Sequence, residues 1–180
     1  MKRLKTTAVC GLLAVMTLSS CSPMTAKTVG MVNDTSTFEI ALLTHVSKID
    51  FSAYQQVPGF GVTGYYDKKY EKQDGGDVAE CYVLYSVTSY PDASSFQQYV
   101  TRIDVTDPSV DVCGYSVGDN AQDFHSYLLK QNFRLLENSE RVRRFEKGKV
   151  RVHFCVEPQA QTIFDICVEV EVRNLFGLIF

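Results

Sequence analysis

The side chains with the greatest potential for chemistry in this chain are six cysteines and three histidines among 180 residues. A cysteine nucleophile would need a nearby imidazole and a local charge or helix N-terminus that lowers the pKa of the thiol. His153 and Cys155 lie two residues apart on one face of a predicted strand. No turn or helix N-terminus is predicted beside them, so a disulfide is favoured over catalysis for Cys155.

Metal and phosphate sites would need ligands at characteristic spacings. The chain has no CxxC pair and no HExxH motif, so the sequence predicts no metal and no cofactor. Residues 72–77 are rich in glycine but lack the Lys-Ser/Thr of a phosphate loop, and Asp-Gly-Gly fits a hairpin turn. His45 is expected on the apolar side of a helix, as a core residue, and His125 at a solvated helix position.

The first twenty residues resemble an export signal. They begin with three cations, Lys2, Arg3 and Lys5. An apolar stretch follows over 8–18 and is too short for the roughly 20 residues of a membrane-spanning helix. The segment Leu18-Ser19-Ser20-Cys21 resembles the lipobox of bacterial lipoproteins. The alternative is an ordinary secretory signal that contains a cysteine.

The resemblance to bacterial lipoproteins covers only the leader and Cys21, and it implies nothing about the fold that follows. It implies that the Cys21 thiol receives a diacylglyceryl group and that the chain is cut just before this residue. Ser22 stands where an aspartate would favour retention in the inner membrane. In Gram-negative lipoproteins this implies the outer membrane, so we expect a domain held there by lipid and facing the periplasm.

Length and charge limit the partners of the domain. Removal of the leader leaves 160 residues, enough for one domain with its own core. These residues carry 15 basic and 21 acidic side chains, a net charge of −6, which argues against nucleic-acid binding. The acidic balance also argues against a second, electrostatic attachment to anionic lipid. The basic run over 141–149 alternates with apolar residues and is interpreted as a solvated strand face.

Four cysteines are left for disulfides once Cys10 is removed with the leader and Cys21 is acylated. An exported domain meets an oxidising compartment, and four thiols allow three pairings. In the predicted hairpin of 149–157 and 163–173, a register in which facing residue numbers sum to 322 pairs apolar with apolar residues. This register places Cys155 opposite Cys167, so we favour that disulfide and, by elimination, Cys81–Cys113.

The remaining patterns divide the chain into a tether, helices and strands. Residues 21–35 lack apolar periodicity and are predicted as a flexible tether, and 36–180 as a single domain. Helical spacing predicts helices over 37–48, after Pro91-Asp92 and from Asp119 to about Lys130. Strands are predicted in 60–70 and 78–90, which form a hairpin, in 110–117, and near 133–137, 140–147, 149–157 and 163–173.

The chain ends in an apolar segment that could contact a partner or complete the core. Its apolar residues are Leu175, Phe176, Leu178, Ile179 and Phe180. Together the patterns predict an α+β domain, in which an antiparallel sheet with a C-terminal β-meander is covered on one face by two or three helices. We expect a non-catalytic component of an envelope or secretion assembly that contacts other envelope proteins. The alternative is a periplasmic lipid-anchored enzyme or an inhibitor or immunity protein.

Overall fold

The structure is a computed structural model, and it describes residues 23–57, 66–73, 81–91 and 96–171. Two α-helices lie in these ranges, α1 (Pro23–Thr35) and α2 (Ala121–Lys130). The strands, in chain order, are β1 (Gln55–Val57), β2 (Tyr66–Gln73), β3 (Tyr82–Pro91), β4 (Phe96–Val105), β5 (Arg134–Asn138), β6 (Val142–Lys147), β7 (Val150–Glu157) and β8 (Thr162–Val170). Two short 3-10 helices, Val46–Lys48 and Phe51–Ala53, precede β1.

The strands form one antiparallel sheet of eight strands in the order β1-β2-β3-β4-β8-β7-β6-β5. Strands β5 to β8 are neighbours in both sequence and space, so they form the predicted C-terminal meander. The predicted pairing of two strands in the 60–90 region is confirmed by β2 and β3, while their connecting loop lies outside the described residues. The α+β class and the antiparallel sheet are therefore confirmed.

The core lies against the face of β7 that carries Val150, Val152, Phe154 and Val156. These four side chains are fully buried and alternate with half-buried or exposed residues, as a strand with one dry face requires. The Phe124 ring of α2 lies 4.9 Å from the Phe154 ring, centroid to centroid. The aromatic contact fixes α2 against the middle of the sheet.

The segment predicted as a flexible tether is instead a helix. Within 21–35, residues Pro23–Thr35 form α1, and Val29 and Val32 are buried in the core. Residues 21 and 22 lie outside the described part. The helix was not predicted because two of the four residues on its buried face are threonines, Thr25 and Thr28, so the sequence lacks an apolar helical pattern. Packing against the sheet stabilises this helix.

The helix predicted over 37–48 is wrong. Bends and turns occupy 36–45, and only Val46–Lys48 is helical, as one 3-10 turn. Ile40 and Leu42 are buried, and the Leu42 amide donates to Asn33 Oδ1 on α1 at 3.0 Å. A side chain of α1 thus takes the backbone hydrogen bond that a helix would have made within itself.

A strand also replaces the helix predicted after Pro91-Asp92. Its stripe of Phe96, Tyr99, Val100 and Ile103 belongs to β4. The pairing of β4 with β3 shifts by one residue next to Thr101, which is a β-bulge. A bulge places two residues of one strand opposite one of its partner, so Val100 and Ile103 are both buried although their odd separation contradicts strand alternation. The resulting spacing of the apolar residues in β4 is therefore close to that of a helix.

The predicted strand over 110–117 is a pair of tight turns. Cys113 and Gly114 have positive φ angles of 56° and 80°, and Val112 and Tyr115 form a single bridge between themselves. Two consecutive left-handed residues reverse the chain, so no strand of useful length fits.

The helix predicted from Asp119 to Lys130 is confirmed as α2, with a small difference at its start. Asn120 is the N-cap, and its Oδ1 accepts from the Gln122 and Asp123 amides at 2.8 and 3.2 Å. Ala121, Phe124 and Leu128 are buried as predicted. His125 is also buried, at the edge of the Phe145 ring, so its predicted solvated position is wrong.

The β7–β8 hairpin forms, but its predicted register is wrong by two residues. Facing residue numbers sum to 320 from Val150↔Val170 to Cys155↔Asp165, and a bulge at Phe164 then shifts the pairing. A slip of two residues keeps the paired side chains from Val150 to Cys155 on their predicted face. It nevertheless places Asp165 opposite Cys155, and His153 opposite Cys167. The turn over 158–161, with Gln161 at a φ of 56°, sets this register.

The register removes the argument for the Cys155–Cys167 disulfide. All four cysteines of the described residues, Cys81, Cys113, Cys155 and Cys167, are free thiols. Neither the Cys155–Cys167 pairing nor the Cys81–Cys113 pairing inferred from it is present. Diagonal neighbours on adjacent strands are about 7–8 Å apart, beyond the roughly 4.4–6.8 Å between the α-carbons of a disulfide.

Candidate functional site

Polar side chains and thiols occupy the second face of the sheet, across the middle of β4, β8 and β7. Antiparallel pairing arranges them in rows that run from strand to strand. One row joins Arg102, Glu169 and Arg151, and the next joins Asp104, Cys167 and His153. A third contains Asp165 and Cys155. We refer to these eight residues as the polar cluster.

Arg102 is the central cation of the polar cluster. Its Nε donates to both carboxylate oxygens of Asp104 at 3.0 and 2.8 Å, and its Nη1 lies 3.5 Å from Glu169 Oε2. Arg151 continues the chain of charges, with Nη1 3.6 Å from Glu169 Oε1 and Nη2 2.9 Å from Glu171 Oε2. The side chains of Arg102 and Arg151 keep about a third of their surface in solvent, so these pairs contribute modestly to stability and mainly hold geometry.

Cys167 lies at the centre of the polar cluster and is fully buried. Burial raises the pKa of its thiol well above the usual range, and the nearby charge of Asp104 adds to the rise. Cys167 is therefore a protonated thiol beside the Asp104 carboxylate, which accepts its hydrogen bonds from Arg102.

The histidine and the second thiol of the polar cluster do not activate one another. Burial, followed by the charge of Arg102, lowers the pKa of His153, so its imidazole is neutral at pH 7. Burial also raises the pKa of the Cys155 thiol, and the charge of Asp165 adds to this. Transfer of a proton from either thiol to His153 is therefore uphill, and the arrangement does not generate the thiolate that nucleophilic catalysis needs.

Asp165 is the most strongly perturbed acid of the polar cluster. Burial raises its pKa to about 6, and the charge of Asp104 contributes in the same direction. Its Oδ1 is buried without a hydrogen-bond partner in the protein. The group can therefore take up or release one proton just below neutral pH. Within the described ranges, no three His, Cys, Asp or Glu side chains converge in a way that could hold a metal ion.

The other two histidines are structural. His45 is the N-cap of the first 3-10 helix, and its Nδ1 accepts from the Ser47 amide at 3.1 Å. Its ring meets the Tyr99 ring edge-on at 5.1 Å between centroids, so its predicted place on a helix face is wrong. Burial lowers the pKa of His125, whose ring packs at 5.1 Å against the core residue Phe145.

The remaining predicted site residues are separated from the polar cluster or lie outside the described residues. Cys113 sits in the 112–115 turn, where burial raises its pKa to about 11. Cys21 and the C-terminal residues Leu175, Phe176, Leu178, Ile179 and Phe180 lie outside the part that the structure describes. Sequence reasoning grouped Cys155 with His153 correctly but missed Arg102 and Asp104, because it predicted their strand as a helix.

Comparison with known proteins identifies no family for this chain. No protein-family model matches it, and no curated protein does. A solved structure of an extracellular protein containing an SCP domain from Bacillus anthracis str. Ames is 9% identical, with a TM-score of 0.40. The likeness covers 95% of this chain and 50% of that one, so this chain spans about half the length of that structure. Within the described ranges, no helix is long and apolar enough to cross a bilayer.

Proposed function

We propose that the protein is a lipid-anchored lipoprotein of the outer membrane, and that it faces the periplasm. The observation that carries the proposal is the segment Leu18-Ser19-Ser20-Cys21, which follows three cations and a short apolar stretch. Two or more acyl chains on Cys21 would hold the protein stably on the membrane, because each buried methylene contributes about 0.8 kcal/mol. The signal peptide comprises residues 1–20, and the domain begins with α1.

We propose further that the protein acts through non-covalent contacts, as a component of an envelope or secretion assembly. Strand β5 supports this role because, among the residues that the structure describes, it ends the sheet and has one side without a neighbouring strand. Leu135 and Leu136 on this strand are 37% and 43% exposed. An exposed apolar edge strand can pair with an extended segment of a partner protein. The C-terminal residues 175–180 are the second proposed contact.

The protonation states of the polar cluster favour binding over catalysis. Protonated thiols at Cys155 and Cys167 and a neutral His153 supply no activated nucleophile. A periplasmic lipid-anchored enzyme or inhibitor remains the competing proposal.

We also propose that α1 and α2 cover the same face of the sheet. Phe124 of α2 packs on Phe154 of β7, and the buried residues Val29 and Val32 of α1 belong to the same core cluster. This arrangement would place the polar cluster on the face opposite the two helices.

The contact surface is tested by photocrosslinking in native membranes. A photoreactive amino acid at Leu136 on β5 is compared with one at Gln56, an exposed residue of the opposite edge strand β1. We expect discrete crosslinked partners from Leu136 and weaker products from Gln56. Equal, diffuse products from both positions would contradict the assembly role.

The anchor and the C-terminal contact are tested by two further variants. Cys21→Ala should leave an unprocessed protein that no longer fractionates with the outer membrane. Truncation before Leu175 should leave a folded protein that loses partners, and an unfolded product would show that this segment completes the core.

A further inference from the structure

Three elements meet at one end of the domain, the end at which α1 begins. The Lys149 amide donates to Thr25 Oγ1 of α1 at 3.1 Å, so the β6–β7 turn holds the start of the helix. Lys147 Nζ of the same turn donates to the Gln131 carbonyl, just after α2, at 2.6 Å. The Glu171 amide, just after β8, donates to the Lys149 carbonyl at 2.7 Å. We refer to this region as the anchor end.

Chain length keeps the lipidated residue close to the anchor end. Cys21 precedes Thr25 by four residues, and a fully extended chain spans at most about 3.6 Å per residue. The Cα atoms of these residues are therefore at most about 14 Å apart. Since Thr25 is fixed on the β6–β7 turn, the membrane surface must lie close to that turn once Cys21 is acylated.

The charge of the anchor end is opposite to that of the whole domain. Among the residues that the structure describes, it carries five cations, Lys130, Arg134, Lys147, Lys149 and Arg151, and three carboxylates, Glu146, Glu169 and Glu171. The carboxylates already pair with the two arginines, at 2.6 Å for Arg134–Glu146, 2.9 Å for Arg151–Glu171 and 3.6 Å for Arg151–Glu169. The three lysines therefore give this end a net positive charge, although the mature chain as a whole carries −6.

Exposed apolar side chains accompany these lysines. Met24 at the start of α1 is 58% exposed, and Leu129 at the end of α2 is 46% exposed. Lysines together with projecting apolar side chains are the combination that binds the headgroup region of a membrane. The rest of the mature chain has a net negative charge, which anionic lipid headgroups would repel.

We propose that the anchor end rests on anionic phospholipid, so that the lipid on Cys21 and the three lysines together fix the orientation of the domain. This inference depends on the proposed acylation of Cys21. Strand β7, with eight residues, separates the anchor end from the 158–161 turn by about 26 Å. The turn and the end of α2 therefore lie at clearly different heights above the lipid.

The orientation is tested with the lipidated full-chain protein in phosphatidylcholine vesicles, with and without phosphatidylglycerol. A fluorescent amino acid replaces either Leu129 at the anchor end or Ala160 in the opposite, exposed turn. A quencher is attached to lipid headgroups. With phosphatidylglycerol present, we expect several-fold stronger quenching at position 129 than at position 160.

Charge variants then test the cause of the orientation. A Lys or Arg near an anionic surface contributes about 1 kcal/mol, which is about fivefold in an equilibrium. The double variant Lys130→Gln, Lys149→Gln should therefore lower the ratio of domains whose anchor end contacts the lipid to domains whose anchor end does not by about 25-fold. It should also reduce quenching at position 129. Arg141→Gln removes an exposed cation near the opposite end and should change nothing.

Two outcomes overturn the inference in distinguishable ways. If mass spectrometry finds no lipid on the Cys21 peptide, the proposed anchoring is wrong, and so is the proposed contact of the anchor end with lipid. If Cys21 is lipidated but positions 129 and 160 are quenched equally, or the two lysine substitutions have no effect, only the proposed contact of the anchor end is wrong.

Discussion

Substitution of Gly148 by alanine should separate α1 from the sheet. Gly148 lies in the β6–β7 turn with a φ of 63°, a left-handed conformation that costs an L-residue about 1 kcal/mol. A Cβ atom built there would lie 2.8 Å from Thr25 Oγ1 and 3.2 Å from two backbone atoms of Thr25. Because two of the three contacts are with backbone, rotation of a side chain would not relieve them.

The cost follows from the contacts that must be given up. If the start of α1 moves away, the hydrogen bond from the Lys149 amide to Thr25 Oγ1 is lost, which removes about 0.5–1.5 kcal/mol. Together with the conformational strain, and before any loss of packing at the helix, Gly148→Ala should lower the free energy of unfolding by about 1.5–2.5 kcal/mol.

A matched variant separates the steric effect from the strain. Gly114 also has a positive φ, 80°, but a Cβ there meets no atom within 4 Å. Gly114→Ala should therefore cost only about 1 kcal/mol. Urea unfolding measures both values, and trypsin cleavage after Lys27 in α1 reports detachment of the helix. Equal losses for the two variants, with no increase in cleavage after Lys27, would refute the reasoning.

Three further predictions concern the core and the polar cluster. Phe124→Ala should lower the free energy of unfolding by about 3–5 kcal/mol because it leaves a cavity in the core beside β7. Phe164→Ala, at a half-exposed position, should lower it much less. Similar losses for the two variants in urea unfolding would contradict this packing. The pKa of Asp165 is raised to about 6 from 3.8, so the folded state binds the proton more tightly, and its contribution to stability is present below pH 4 and lost as pH rises to 6. Asp165→Asn should therefore be more stable than the wild type at pH 7, by up to roughly 3 kcal/mol, with little advantage at pH 4 in the same urea assay. The same difference in stability at both pH values would contradict this titration. In native protein, iodoacetamide should modify Cys167 last because its thiol is buried and protonated, and rapid labelling of Cys167, or a Cys155–Cys167 disulfide in peptide maps, would contradict the structure.

The meander could be predicted from the sequence because its strands alternate regularly. From Val150 to Val156 every second residue is apolar, and Gly148 and the 158–161 segment provide the turns. The helix from Asn120 was predictable for a similar reason, since a capping residue precedes a regular apolar stripe. In both cases local pattern and tertiary burial agree.

Errors arose where burial depends on a local irregularity or on a distant partner. The bulge at Thr101 turned the alternation of β4 into a helix-like spacing, and the bulge at Phe164 is one reason that the β7–β8 register departs from the predicted one. A bulge adds one residue to one strand, and no residue type in the sequence marks its position here. The helix α1 is stabilised by contacts with residues more than 100 positions away, such as Lys149.

The polar cluster was likewise predictable from the sequence only in part. The sequence alone placed His153 and Cys155 on one face of one strand, because side chains on a strand alternate with a period of two residues. Only the tertiary structure brought Arg102 and Asp104 of β4 beside Cys167 and gave these groups their pKa shifts, since strand order and desolvation depend on the whole sheet.

The sequence by itself predicted the chemistry proposed for Cys21, because a lipobox is a local signal that requires no fold. It also predicted an α+β domain from the spacing of apolar residues. The tertiary structure decided that α1 begins only two residues after Cys21, and that three lysines from separate elements share that end of the domain. The net charge is a sum over the chain, so it does not show where the lysines lie. The position of each charge depends on how the strands and helices pack.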